Sequence, residues 1–171
     1  VSTIRSIYSK IKSKVEGIIN FYSSNDPKKI SGFLGIHILK SNLGNVEGFL
    51  QYYNHTYIIH INSNITDETT QDKIIAHELG HYFLHKHLNI FCVDMHTLAF
   101  EATLENEANI FATELLLNDS IIKEELPFIQ NMNIYELSSY FNLDFDIVKM
   151  KYDLFFLNKK EHMFVLDNMY Y

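Results

Sequence analysis

The chain has 171 residues, 47% of them hydrophobic and 20% charged, with a formal net charge of −7. That apolar fraction fits a globular protein and excludes a disordered one, while the acidic balance argues against nucleic-acid binding through clustered Lys and Arg. The single cysteine, Cys92, excludes an internal disulfide framework and agrees with a reducing, cytoplasmic setting.

Residues 4 to 22 place Ile4, Ile7, Tyr8, Ile11, Val15, Ile18, Ile19 and Tyr22 at helical spacing, which predicts an amphipathic helix. Lys10, Lys12 and Lys14 then form its solvated face, and Ser23-Ser24-Asn25-Asp26-Pro27 stops it. The first residues, Val1-Ser2-Thr3-Ile4-Arg5-Ser6-Ile7, lack the apolar core of a secretory signal. No run approaches the roughly 20 apolar residues that a membrane helix needs.

Three strands are expected next, at Ile36–Leu39, Phe49–Tyr53 and Tyr57–Ile61. With turns at Gly44-Asn45 and Asn54-His55 they read as a small antiparallel meander. If Tyr57–Asn62 lies at an edge, an extended substrate can pair with it. The segment Asn64–Thr69 carries helix-start chemistry, so a helix is expected from about residue 69 to His87. Ile74, Ile75, Leu79, Phe83 and Leu84 would face the core.

That helix carries His77-Glu78-Leu79-Gly80-His81. Histidines four apart lie one turn apart on one face, so both imidazoles can reach one Zn2+. Glu78 can lean over the open position as general base for a water. A catalytic zinc usually has a third protein ligand. His85 lies on the same face, but eight residues of helix span about 12 Å, too far for three rings along one straight helix to share an ion. A hydrogen-bonded structural histidine is the better reading of His85.

A further helix is expected from Leu98 to Leu117, rich in Glu and Ala. Glu105 and Asn109 share a face, with Ala108 small enough for close helix approach. Glu105 can serve as ligand and Asn109 as hydrogen-bond partner of a ligating ring. Glu101 and Glu107 compete for the ligand role, although Glu107 points about 200° from Glu105. Pro127 is read as a loop, and shorter helices follow near Ile134–Tyr140 and Asp144–Leu157, with a polar tail after Asn158. The whole is an α+β chain: an N-terminal helix over 1–29, a core over 30–126, and a helical segment over 127–171 packed on it. Tyr82, His60 and His96 are candidate oxyanion stabilisers.

Three stretches together resemble the ImmA/IrrE metallopeptidases: Ala76–His85, Glu105–Leu117 and Glu136–Asp144. Ala76–His85 resembles the family's active helix, including the trailing histidine. Glu105–Leu117 is similar to the motif in which a Glu three residues before Ala-Asn is the third ligand, which here is Glu105. Glu136–Asp144 resembles the small helix-turn-helix-like segment that closes many members. The likeness covers roughly residues 30 to 157, and departs from the family pattern where Asn118-Asp119 replaces a proline and where Phe145-Asp146 stands in the terminal segment. It implies a minimal zincin fold, a Zn2+ cofactor, a cytoplasmic role, and cleavage or inactivation of a helix-turn-helix repressor.

Two rivals to a zinc peptidase follow from the same residues. One is a zincin-like module that grips a regulatory partner without cutting it. The other is a DNA-binding regulator built on 134–154, where two lysines face four acidic residues. That balance is the wrong sign for phosphate. Peptide deformylase shares HExxH, but Cys92 does not stand in its partner motif.

Overall fold

The computed structural model describes residues 2–86 and 98–154. Nine of its elements are α1 (Ser2–Tyr22), α2 (Pro27–Phe33), β1 (His37–Ser41), β2 (Gly48–Tyr53), β3 (Thr56–Asn62), α3 (Glu68–His85), α4 (Leu98–Leu116), α5 (Asp119–Ile129) and α6 (Ile134–Phe141). Residues 145–154 are also helical, as α7. The architecture is α+β, with a three-stranded sheet and two long helices crossing at the core.

Local chemistry explains most boundaries. The apolar stripe of α1 buries Ile11, Val15 and Ile18 against α4. Asp26 ends that stretch and caps α2, accepting from the Lys28 and Lys29 N–H groups, with Pro27 at the first turn. The stop signal is therefore also a start signal. Asn118 plays the same double part between α4 and α5, accepting from the Ser120 and Ile121 N–H groups. A capping box of Asn133 and Glu136 opens α6, and Asn142 closes it at φ 49°. Pro127 lies inside α5 rather than in a loop. It falls in the last turns, where its missing N–H removes a single intrahelical bond.

The sheet departs from the expected meander. Its order is β1-β3-β2, with β3 parallel to β1 and antiparallel to β2. The β2–β3 hairpin is as expected: Asn54 and His55 both take positive φ, 48° and 63°, which suits a tight two-residue turn. Gly44 turns the chain at φ +62°, but β2 does not return beside β1. Instead β3 inserts between them. The Asn62 amide donates to the Gly44 and Val46 carbonyls, each at 2.9 Å, and so holds the wide 42–47 connection open around the end of β3. β3 is thus the central strand, and the free edge on the hairpin side belongs to β2. Substrate pairing along Tyr57–Asn62 is excluded by that position.

Ile59 and Ile61 of β3 pack with Ile74, Ile75 and Leu79 of α3 and with Phe111 and Leu115 of α4 to form the core. Phe83 and Leu84 lie half-buried against it. The lysines of α1 are not simply solvated. Lys14 donates to the Phe83 carbonyl at 2.6 Å, and Lys12 pairs with Asp119. Behind this lies a buried ionic knot. Lys151, 1% exposed, donates to Glu114 at 2.6 Å and to Asp119 at 2.7 Å, and Glu114 also accepts from the Tyr8 hydroxyl at 2.8 Å. Burial and the adjoining Glu114 carboxylate push the Tyr8 phenol well above its usual range, so it stays a donor. The knot ties α1, α4, α5 and α7 together. Because Lys151 is consumed there and Lys149 pairs with Asp153 at 3.2 Å, both lysines of 134–154 are occupied.

Removing one partner of a buried ion pair leaves the other uncompensated. Lys151→Ala is expected to destabilise the protein by about 3–5 kcal/mol. Replacing both partners, as Lys151→Met with Glu114→Leu, should cost less than that single change. Urea unfolding followed by circular dichroism measures both, and the reverse order would show that the knot is not what secures α7.

Candidate metal centre

Helix α3 starts where its cap is strongest. Asp67 accepts from the Thr70 N–H at 2.8 Å and from the Thr69 and Thr70 hydroxyls. Those hydroxyls, with the N–H, hold the Asp67 carboxyl down at about 2. The helix then runs unbroken to His85, which sets His77, His81 and His85 along one face.

Glycine at position 80 lets α4 reach that face. A Cβ built at Gly80 would stand 2.9 Å from the Ala108 Cα and 3.1 Å from its carbonyl oxygen. Two small residues thus set the crossing, and the stacked rings of Phe83 and Phe111 continue it. Gly48 does the same for the strand. A Cβ there would meet Ile74 Cγ2 at 2.5 Å and the His60 carbonyl oxygen at 2.7 Å.

At this crossing, the Nε2 atoms of His77 and His81 are 3.1 Å apart. The Glu105 carboxylate stands 3.2 Å from the first and 3.3 Å from the other. Two donors bound to zinc at about 2.0–2.1 Å with a tetrahedral angle lie about 3.4 Å apart. The three atoms are therefore spaced as ligands of one small cation, and two imidazoles with a carboxylate are a donor set that suits zinc. Among the described residues this is the one group of three or more His, Cys, Asp or Glu side chains so arranged. His77 turns its Nδ1 to the Asn109 amide oxygen at 2.8 Å, leaving Nε2 to face inward. Burial, and then His77, push His81 down to about 4, so its ring is neutral near pH 7.

Glu78 lies beside this cluster and is 6% exposed. Burial first, and then the Glu105 charge, raise its carboxyl to about 7, against the Leu50 N–H, which favours the charged form. Glu78 also lines a cleft of about 420 Å³ with His77, Glu105, Asn109 and Gly48. The far wall comes from α7, through Asp146, Ile147 and Met150. Lys73 braces that wall, pairing with Asp144 at 3.0 Å and Asp146 at 3.4 Å.

The other candidates fall elsewhere. Glu101 is exposed and outside the cluster. Glu107 meets His85 at 3.0 Å rather than the cluster. His60 stacks on Phe49 and faces Gln51 at 2.9 Å, because the alternation that buries Ile59 and Ile61 sends it to the other side of the sheet. Tyr82 packs edge-on against Tyr57, under the Lys86 ammonium, since five residues of helix turn it about 140° from His77. Neither lines the cleft. His96 lies outside the described residues, as do Cys92 and the expected tail after Asn158. Sequence reasoning missed the contribution of α7 to the cleft wall, for which only the apolar pair Ile147 and Met150 gave a signal. It also missed the Gly80 crossing, whose signal was a glycine inside an otherwise good helix.

A helix-borne pair of histidines, a carboxylate from a crossing helix and a buried glutamate beside them define the metallopeptidase class of site. Residues 33–152 match the Peptidase_M78 family model, described as the IrrE N-terminal-like domain. The chain is 42% identical over 135 residues to Metallopeptidase ImmA of Bacillus subtilis (strain 168), covering 78% of each. It is also 33% identical over 121 residues to Uncharacterized immunity region protein 2 of Bacillus phage phi105, covering 70% of this chain and 76% of the relative. The chain belongs to the ImmA/IrrE family of metallopeptidases. None of its described helices is long and apolar enough to cross a membrane.

Two outcomes follow from this geometry. Gly80→Ala should destabilise the fold by about 1–3 kcal/mol, since the helices must part, and weaken metal binding by drawing Glu105 away. Calorimetric titration with zinc beside a thermal melt tests both, and wild-type affinity in the variant would show that the crossing relaxes freely. The other concerns metal-free protein. Glu78 ionises at about 7 when folded against an ordinary 4.5, so between those values the unfolded chain loses its proton first. Stability therefore falls as pH rises through that window. Glu78→Gln should stabilise metal-free protein at pH 8 by up to about 3 kcal/mol and leave it unchanged below pH ~4.5. Denaturant titrations in chelator at both pH values check this.

Proposed function

We propose that this chain is a zinc-dependent endopeptidase of the cytoplasm that cleaves a regulatory protein, a helix-turn-helix repressor. The observation that carries the reading is the spacing of 3.1–3.3 Å among His77, His81 and Glu105, with buried Glu78 alongside. His77, His81 and Glu105 would hold the ion, and Asn109 would aim the His77 ring. When bound, the ion supplies Lewis acidity, which acidifies a water and polarises the scissile carbonyl. Glu78 is the general base. It takes the water's proton and passes it to the leaving amine. Its raised proton affinity in the bare site comes from burial, and a nearby cation opposes that effect, making the carboxylate available near neutral pH.

The substrate runs along the outer edge of β2, the strand whose Leu50 N–H already serves Glu78. Extended pairing there would bring the scissile bond across the cleft. The repressor as substrate is supported by the relative whose name places it in a phage immunity region.

The test is incubation of the zinc-loaded chain with helix-turn-helix repressors, with fragments read by mass spectrometry. Cleavage is expected, lost on chelation and restored by zinc, and reduced about 10²–10⁴-fold in Glu78→Gln with metal content unchanged. Equal fragmentation by Glu78→Gln removes Glu78 as base. Intact repressors alongside another cleaved protein overturn the substrate, not the enzyme.

A further inference from the structure

His85 is 3% exposed, yet it is not a ligand of the cluster. Its Nδ1 stands 3.1 Å from the Nδ1 of His81, and its Nε2 stands 3.0 Å from a Glu107 carboxylate oxygen. We propose that Glu107 and His85 form a relay that fixes the proton of His81, and that both are positioning residues of the metal centre. The inference rests on the reading of His77, His81 and Glu105 as a metal site.

The direction of every hydrogen bond in the relay then follows from proton counting. Two ring nitrogens facing each other share one proton, since two lone pairs repel and two N–H groups collide. His81 points its Nε2 at the cluster, 3.1 Å from His77 and 3.3 Å from Glu105. With a cation held there, that nitrogen offers a lone pair, so the His81 proton is on Nδ1. His81 therefore donates to His85. The His85 Nδ1 accepts, which puts its single proton on Nε2, and Nε2 donates to Glu107. No alternative tautomer satisfies all three contacts.

The relay makes the two ligating rings unequal. His77 is backed by the neutral Asn109 amide, whereas His81 is backed, through a buried ring, by a carboxylate. A carboxylate behind a ligating histidine fixes its orientation and increases its basicity. The spacing that keeps Glu107 from the ion does not keep it from this task. Ala108 fills the crossing, Glu105 passes on one side of it to the cluster, and Glu107 passes on the other to the next turn of α3. The burial of His85 keeps its ring from water, so its two nitrogens depend on His81 and Glu107 for partners.

The first measurement is the histidine ¹⁵N spectrum of the zinc-loaded full chain. His85 should appear as a neutral ring with its proton on Nε2, and His81 with its proton on Nδ1. A His85 ring that is doubly protonated, or protonated on Nδ1, overturns the proposal. The other measurement is zinc affinity by competition with a chromophoric chelator. His85→Phe and Glu107→Leu should each lose about 10–100-fold. Glu107→Gln, which keeps an acceptor without the charge, should lose less, and Glu107→Asp should recover part of the affinity. If His85→Phe does not fold, the Glu107 series decides alone. Wild-type zinc affinity in folded Glu107→Leu overturns the relay and leaves the metal site standing. An unaltered chain that binds no zinc overturns the metal reading, and the relay falls with it.

Discussion

Everything at this centre depends on how closely two helices can cross. Gly80 on α3 and Ala108 on α4 meet with no room for one more carbon, since a Cβ added to Gly80 would stand 2.9 Å from a backbone atom. That contact places a carboxylate of α4 within reach of imidazoles on α3. It also fixes the lateral order: Glu105 and Asn109 on one side of the crossing, Glu107 on the other. Larger residues would separate the helix axes, and the polar groups would then meet water instead of each other.

The same closeness creates an electrostatic problem that the neighbours settle. Buried Glu78 and the half-buried rings of His77 and His81 crowd against an exposed Glu105, so charge is costly at Glu78 and His81. In the bare protein burial raises the Glu78 carboxyl to about 7 and lowers the His81 ring to about 4. Such an arrangement suits a divalent cation, because the His81 ring meets it with no proton to lose. Asn109 and His85 act in the same sense, since each takes the outward nitrogen of a ring and leaves the inward one free.

Around the centre, charged groups hold the architecture together. The knot of Lys151, Glu114, Asp119, Lys12 and Tyr8 joins the N-terminal helix to α7. Lys73, pairing with Asp144 and Asp146, fastens the start of α7 to the active helix. Together they hold Ile147 and Met150 in place as a wall of the cleft. The helical segment near the end of the chain is thus part of the site's enclosure, and its lysines are occupied there rather than offered to a polyanion.

Much of this was legible in the order of residues. The stripe of α1, the Asn54-His55 hairpin, the cap at Asp67, and the His77–Glu78–His81 face of α3 all follow from neighbours a few positions apart, because helix and strand periods are local. The small residue Ala108 signalled a close approach. What the chain order did not show depends on groups far apart in sequence. The insertion of β3 between β1 and β2 needed the Asn62 amide to hold the 42–47 connection. Pro127 sits within α5 because a helix already capped by Asn118 tolerates the loss of one bond. His60 and Tyr82 turn away from the cleft because sheet alternation and helix rotation act on faces that only the packed core defines. The roles of His85 and Glu107 emerge last. Their types and spacing are compatible with solvent, salt bridge or ligand, and only the width of the helix crossing decides which atoms come within hydrogen-bonding distance.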